Sequence, residues 1–599
     1  MKTRILSAAM MMAIVSVVSC TEEIASPQQP AGPSLQEEAV TVHAVMDEDM
    51  TKVTLGDDSG ASTQVHWDAE DQIGIRIDET TYTFDRTDDA VGSKTADFEY
   101  KAGGVALPTL TAGEYTFTYP ATGKAALASQ TGTKEGLKAY HYMEATFTAE
   151  EEQEWNNLPG LSFETKVAIV KLTLKNEAFK GKEVTGVTLR SAEDAYAATS
   201  VFTGSAADGS IVVYLAVEPA ALTDCIITAI CETKTYEAGL SDNTLVAGKL
   251  YRVSKRMKTY TNLSPLVEGV YQTANCYIVS EAGDYKFKAT HKGNSTSSTV
   301  ETINSAVVLW ESFGTATTPA VGDLVKNVAY SDGYIRFTAT AAEGNAVIAA
   351  MDASDNILWS WHIWLTDKPA EHVYANSAGT MMDRNLGATS ATPGDVGALG
   401  LLYQWGRKDP FLGSSSTSSS TVALSTITWP SPVMRSTLAH DATYHVANPT
   451  TFITSNSTYN FDWYISTGTN YYNDRWPDSG SPKSMYDPCP AGWRVPNGGE
   501  NGIWAKAHGS SETYTHTYDS NKKGHDFSGD FGESSPIWYP VVKRRSYETG
   551  NLSSDNTVCY WSCSPTDNMA YYLYTSSSNV NPASYAFRAF GQPVRCCKE

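Results

Sequence analysis

The residues best able to do chemistry in this 599-residue chain are its nine cysteines. Cys20 stands apart, directly after an apolar run near the start. The other eight are Cys225, Cys231, Cys276, Cys489, Cys559, Cys563, Cys596 and Cys597. Export would permit them to form disulfides, but so many cysteines leave the connectivity open. Cys559 and Cys563 lie close enough in sequence to pair locally, and so do Cys225 and Cys231. Buried free thiols are an equal alternative for Cys225 and Cys276. The chain contains no His-Glu-x-x-His, no Gly-x-Ser-x-Gly, no phosphate-cradling glycine loop and no zinc-spaced cysteine pair. His440 and His445, with Asp441 between them, could ligate a metal, although a solvated polar loop is the plainer reading. Among 67 acids no pair stands out as the raised and ionised couple of a glycosidase. The expectation is a protein without catalytic residues, cofactor or metal, with an enzyme as the less favoured class.

Around Cys20 the sequence has three parts. Lys2 and Arg4 are basic, Ile5 to Val18 is apolar, and Val17-Val18-Ser19-Cys20 closes the run. The run falls short of the roughly 20 apolar residues that span a bilayer, so cleavage is expected. This pattern resembles the lipobox of bacterial lipoproteins. The resemblance implies loss of residues 1–19 and a diacylglycerol on the Cys20 thiol. Each buried methylene adds ~0.8 kcal/mol, so two or three acyl chains anchor firmly. Thr21-Glu22-Glu23 resembles the surface-export signal of such lipoproteins, which implies the outer face of a cell outer membrane. Residues 20–37, rich in proline and glutamine, read as a flexible linker.

A net charge of -23 without an acidic block spreads negative charge over solvated faces. Nothing forms a basic stripe, which excludes nucleic acid as a partner. Tyrosine (33) outnumbers phenylalanine (17), tryptophan is frequent at 14, and helix patterns are rare. The composition predicts a mainly β extracellular protein of about three or four domains.

Period-two strand patterns recur at short intervals in the first half. Val40, Val42 and Ala44 make one, Ile73, Ile75 and Ile77 another, and Tyr115, Phe117 and Tyr119 a third. Gly56 to Gly60 reads as a turn. A second group runs from about Phe163 through Val184–Leu189 and Ile211–Val217 to Leu245–Val253. Residues 123–160 read as a long connection, so units are expected at 38–160 and 161–256. Thr51-Lys52-Val53-Thr54, Trp67-Asp68-Ala69-Glu70-Asp71-Gln72-Ile73-Gly74-Ile75, Gly113 to Pro120 and Val246 to Tyr251 are similar to motifs of the fimbrillin family. That resemblance implies two transthyretin-like β-sandwiches. It also implies a core-plugging Trp67, a turn shaped by Asp71 and Gly74, and assembly with other pilins by strand complementation. Polymerising fimbrillins are trimmed after a basic residue near the first strand. Lys52 sits inside its strand motif and is not expected to serve.

Residues 257–368 form a middle β unit. Its last strand carries Trp359, Trp361, His362 and Trp364. Alternation puts Trp359 and Trp361 on one side and His362 and Trp364 on the other. That suits a strand buried on both faces better than a sugar platform.

Residues 369–599 carry Met382-Asp383-Arg384-Asn385-Leu386-Gly387, Leu401 to Phe411, Asp487-Pro488-Cys489-Pro490-Ala491-Gly492-Trp493-Arg494-Val495-Pro496, Tyr560-Trp561-Ser562 and Val594-Arg595-Cys596. These motifs resemble the Fibrobacter succinogenes major paralogous domain, which implies a C-type-lectin-like α+β fold. In that fold Cys489 and Cys596 occupy positions that pair, with Cys597 able to replace Cys596. The calcium-binding tripeptides of such lectins are missing, since Gln592-Pro593-Val594 lacks the third acid and Asn473-Asp474-Arg475-Trp476 is not the second motif. Tyr403, Arg407 and Asp409 are one candidate ligand face, with Trp405 as core. The polar, tyrosine-rich stretch 455–480, with Tyr471, Tyr472 and Asp474, is the other. The expected function is a lipid-anchored fimbrial tip or accessory adhesin that binds a host or bacterial surface glycan or protein. The alternative is a surface glycan-binding lipoprotein for nutrient capture.

Overall fold

The computed structural model of the chain describes residues 40–46, 67–87, 93–100, 105–315, 317–413, 430–435, 443–464, 471–509, 514–532, 536–553 and 557–599. Cys20 with its leader and linker, Lys52, the turn at 56–60, and His440 with Asp441 lie outside the described residues. The fold is mainly β, with 45% strand and 7% helix. Among the described residues no helix is long and apolar enough to cross a membrane.

The first unit is a sheet closed into a barrel, where two-layer packing was expected. Its strands run in the order Val40–Met46, Thr95–Tyr100, Thr80–Arg86, Gln72–Ile77, Gly113–Tyr119, Met143–Ala149 and Leu161–Thr165. Closure comes from parallel pairing of Ala44–Met46 with Leu161–Phe163. Alternate residues point inward, among them Val42, Ala44, Ile73, Ile75, Phe84, Phe98 and Phe117. Trp67 fills the interior and meets Phe98, Tyr119 and Phe163 edge-on at 5.1 to 5.6 Å. The Asp71 carboxylate holds the adjoining turn, accepting from the Asp68 amide at 2.6 Å and from the Tyr119 hydroxyl at 2.9 Å. Gly74 lies within the Gln72–Ile77 strand and does not shape a turn. It is small because a Cβ there would sit 2.6 Å from the Ala121 carbonyl oxygen.

The expected boundary at residue 160 is corrected, because the two units interleave. Leu127 and Leu137 belong to the second core, while Met143, Phe147, Leu161 and Phe163 return to the first. The stretch expected to be a connection thus supplies the Met143–Ala149 barrel strand. In the second unit a three-stranded sheet packs over one core with a larger sheet. The three strands are Ser210–Val217, Ala168–Lys175 and Leu250–Arg256. The larger sheet runs from Lys234–Leu240 through Cys225–Cys231 and Glu183–Arg190 to Ala195–Ala198 and Ser129–Gln130. Cys225 and Cys231 end the same strand, about 20 Å apart at ~3.3 Å per residue. Both thiols are free and buried, so no disulfide joins them.

The middle unit has two four-stranded sheets. One runs Thr261–Asn262, Gly283–Lys288, Tyr334–Ala339, Val325–Ser331, and the other Cys276–Val279, Ile357–Leu365, Gly344–Met351, Ser305–Ser312. The Ile357–Leu365 strand is buried on both faces. Trp359, Trp361, Ile363 and Leu365 fill the core between the sheets. Trp364 joins Cys276, Trp310 and Val347 in a second core that continues into the C-terminal domain through Trp405, Trp476 and Trp561. The backbone change at residue 368 is therefore no packing boundary. Beyond it regular elements are short, and the longest is the Val558–Thr566, Met569–Thr575, Val580–Phe587 sheet.

Candidate functional site

The motifs that carry the C-terminal resemblance build the interior of the domain. A loop-rich fold leaves many backbone carbonyls without sheet or helix partners, and buried polar groups must be paired. Arginine meets that need with five donors in a rigid fork. Arg407 donates to the carbonyls of Thr451, Asn448 and Pro449 at 2.9 to 3.2 Å and to Gln404 Oε1 at 3.0 Å. Arg494 donates to the carbonyls of Ser481 and Asp478. Arg595 reaches Asn385 Oδ1 and the Trp538 carbonyl, while the Asn385 amide donates to the Leu399 carbonyl and the Tyr560 hydroxyl. Asp487 accepts from the amides of Cys489 and Val495.

Tyr403, Arg407 and Asp409 are accordingly corrected as a ligand face. Tyr403 and Arg407 are 0% exposed and Asp409 3%. Asp409 turns inward to Ser360 and Lys408, and thereby ties the domain to the middle unit's Ile357–Leu365 strand. Burial, only partly opposed by Asp409, lowers the Arg407 pKa to about 10, which leaves it charged at neutral pH. Trp405 is core, and its indole donates to the Ser562 carbonyl.

Cys489 and Cys596 are bonded, closing a loop of 107 residues. Cys559 and Cys563 are not bonded. They sit four residues apart on one strand, about 13 Å by strand rise, and a disulfide needs Cα atoms within about 7 Å. The Cys563 thiol instead donates to Asn497 Oδ1 at 3.1 Å. Cys597 remains a buried thiol. His445 is enclosed by Trp463, Tyr464 and Tyr486 and hydrogen-bonds Arg475 at 3.1 Å. No cluster of three or more metal-ligating side chains occurs among the described residues.

What remains at the surface is a face built around Arg588. This buried guanidinium lies 4.3 Å above Trp405 and 5.5 Å from Tyr471, and donates to Asn473 and to the carbonyls of Asp567 and Met569. It gathers the 456–464, 471–475 and 567–569 loops at one place. On its one side stand exposed Tyr472, Asn473 and Asp474, with Tyr472 44% exposed and edge-on to Tyr464 at 5.1 Å. Phe461, from the first of these loops, is stacked on Phe587 at 4.1 Å. Tyr547 meets both edge-on and also meets Phe590.

Asn460 and Phe461 both adopt left-handed backbone, at φ +56 and +55. For an aromatic residue this costs roughly 1–2 kcal/mol, and such strain persists only where the surroundings over-determine it. Here Asn568 donates to the Asn460 carbonyl and the Ala589 amide to the Phe461 carbonyl. The sequence reading found Tyr471, Tyr472 and Asp474 but not Phe461, Tyr547 or Phe587. The alternation Tyr585-Ala586-Phe587 was the one local sign of an aromatic face there.

No family model matches the chain, and no curated protein matches it. Among solved structures it is similar to a "putative cell adhesion protein" of Bacteroides ovatus, with 13% identity over 37% of this chain and 94% of that one, at a TM-score of 0.25. It is also similar to a fimbrial assembly protein of Parabacteroides distasonis, with 9% identity over 36% and 91%, at a TM-score of 0.19. A third is the C-terminally truncated tip fimbrial protein of Porphyromonas gingivalis, with 8% identity over 36% and 95%, at a TM-score of 0.18. Scores this low carry no weight for the fold or function of this chain.

Proposed function

We propose that the chain is a lipid-anchored surface adhesin of fimbrillin type, with the C-terminal domain as its binding head. The observation that carries this reading is the division of labour in that domain. Its motif residues are spent inside, on carbonyls and core, while an aromatic and amide-rich face is held outside on loops fastened by Arg588. Aromatic rings with hydroxyls and amides at the rim suit recognition.

Connectivity supports a position at the end of a fibre. Leu250–Arg256 pairs in register with Ala168–Lys175 of its own unit, and the chain then runs on into the middle unit. That strand is not a free end to donate to a neighbouring pilin. Lipid on Cys20 serves export and sorting in this reading. Immunogold labelling of intact cells tests the role. Signal at filament ends is expected, and signal along whole shafts or away from filaments rejects it. Intact mass of the surface protein shows whether acyl chains are retained on Cys20. The alternative, a glycan-capturing lipoprotein, predicts copurification with an outer-membrane transporter instead of pilins.

A further inference from the structure

We infer that one face of the Met569–Thr575/Val580–Phe587 hairpin is a stacking track for an extended, neutral carbohydrate chain. The inference rests on the reading of the C-terminal domain as a binding head and deepens it.

The register defines the track. Tyr571 pairs with Tyr585, and Met569 with Phe587. On a strand, residues two apart share a face about 6.6 Å along, so Tyr585 and Phe587 stand side by side. The opposite face carries Ala570, Tyr572 and Ala586 and is buried in the core. Tyr571 and Tyr585 lie 6.4 Å apart, edge to face, and Phe461 extends the line beyond Phe587. Tyr571, Tyr585 and Phe587 thus follow one another along this side of the hairpin, with Tyr571 edge-on to Tyr585 and Phe461 lying on one face of Phe587. Tyr585 is 57% exposed and is the ring of this group most open to solvent.

The file is firmly seated. A Cβ on Gly498 would lie 2.2 Å from Ser562 Oγ and 3.0 Å from Tyr571 Cβ, so this backbone packs directly beneath the tyrosine. The Asn568 and Ala589 hydrogen bonds fix the Phe461 end. A preformed row of rings orders little on binding, which favours weak, repetitive ligands.

The occupant follows from shape and charge. Three of the four rings are half-buried, so the file exposes far less than the ~800 Å² per partner of a stable protein interface. A narrow line of rings in which Tyr585 is the most exposed suits a thin chain whose own faces are apolar and whose rim is hydroxylated. The charges near it are mainly acidic: exposed Glu548 beside Tyr547, exposed Asp567 in the turn that precedes Met569, and Asp478 accepting from Ser564 at 2.7 Å. Arg588 is buried and committed to protein partners, and Arg544 lies over Phe590 at 4.4 Å. Carboxylates accept hydrogen bonds from sugar hydroxyls and repel polyanions, which selects a neutral chain.

Affinity electrophoresis of the full mature chain, in native gels containing linear β-glucan, xylan or mannan, tests this, with polygalacturonate as the acidic comparison. At least one neutral polymer is expected to retard the protein. Tyr585→Ala should weaken that retardation about tenfold, a change of ~1.4 kcal/mol, and Tyr585→Phe, which keeps the ring, should stay within about threefold of wild type. The remote exposed Val373→Ala should behave as wild type. No retardation by any neutral polymer, equal retardation of Tyr585→Ala, or retardation by polygalacturonate alone overturns the inference. Beads carrying the same proteins are tested for adhesion to epithelial and bacterial cells. Wild-type adhesion without polysaccharide binding sinks the track and leaves the head, whereas loss of both sinks the two together.

Discussion

Arg336 grips Glu237 through Nε at 3.2 Å and Nη2 at 2.8 Å, joining a strand of the middle unit to one of the second unit. Lys286, also of the middle unit, donates to the other Glu237 oxygen at 2.5 Å. A buried acid shared by two cations thus fastens the middle unit to the second.

Removing the shared acid should therefore cost more than removing an exposed one. Glu237→Ala leaves Arg336 and Lys286 buried and uncompensated, a loss of about 3–5 kcal/mol. Calorimetry should show a lowered transition, and small-angle scattering a less rigid junction. Burial opposes ionisation of Glu237, yet Lys286 and Arg336 outweigh it and hold the carboxyl below its ordinary value. A depressed acid stabilises fully above the unfolded value of about 4.3. Its contribution should disappear as pH falls through the folded value, and Glu237→Gln should flatten that acid limb.

Reduction of the Cys489–Cys596 bond releases a loop of 107 residues. In the chain-entropy account a closure of this size contributes up to ~4.7 kcal/mol. Cys489→Ser with Cys596→Ser should lower the unfolding transition of the C-terminal domain by several degrees. Cys559→Ser with Cys563→Ser should leave the sensitivity to dithiothreitol unchanged, because neither is bonded.

Arg407→Met should be among the most damaging single changes in the domain. It strands the Thr451, Asn448 and Pro449 carbonyls, at about 1–3 kcal/mol for each buried group left unpaired. Arg407→Lys should not rescue it, since one ammonium cannot span the donors of a planar fork. Chemical denaturation of the two variants, compared with Tyr472→Ala at the surface, checks this.

His525 is fully buried, and burial, helped by nearby His516, lowers its pKa to about 4. The fully buried His362 is lowered to about 3 by burial alone. A histidine held neutral stabilises fully above the unfolded value of about 6.5, and the benefit is lost progressively as pH falls toward the folded value. Stability should decline between about pH 6.5 and 4 by a few kcal/mol in all. His525→Phe should remove part of that slope in pH-dependent melts, and a melting temperature independent of pH across this window would contradict the assignment.

How far the sequence was legible depended on whether a feature lived within one element. The two-sided burial of Ile357–Leu365 could be read from alternation alone, since strand side chains must point to opposite faces. Trp67 as the plug of the first unit was implied by the fimbrillin-like motif around it, and its burial against Phe98, Tyr119 and Phe163 agrees. The role of Arg407 was not. Charged residues beside a tryptophan look like a surface, and only loops arriving from 448–451 reveal that its fork is an interior partner for carbonyls.

By itself, the sequence determined that this is a mainly β protein of several units, with an aromatic-rich, loop-rich C-terminal domain. Those properties rest on composition, periodicity and local motifs, which each segment carries alone. Tertiary structure decided the rest. It closed the first sheet into a barrel, returned Met143–Thr165 to the first core, and buried the expected ligand face at Tyr403, Arg407 and Asp409. It also aligned Phe461 with a hairpin more than a hundred residues away. Each outcome depends on which distant surfaces pair most favourably, and periodicity records the face an element presents without naming what will cover it.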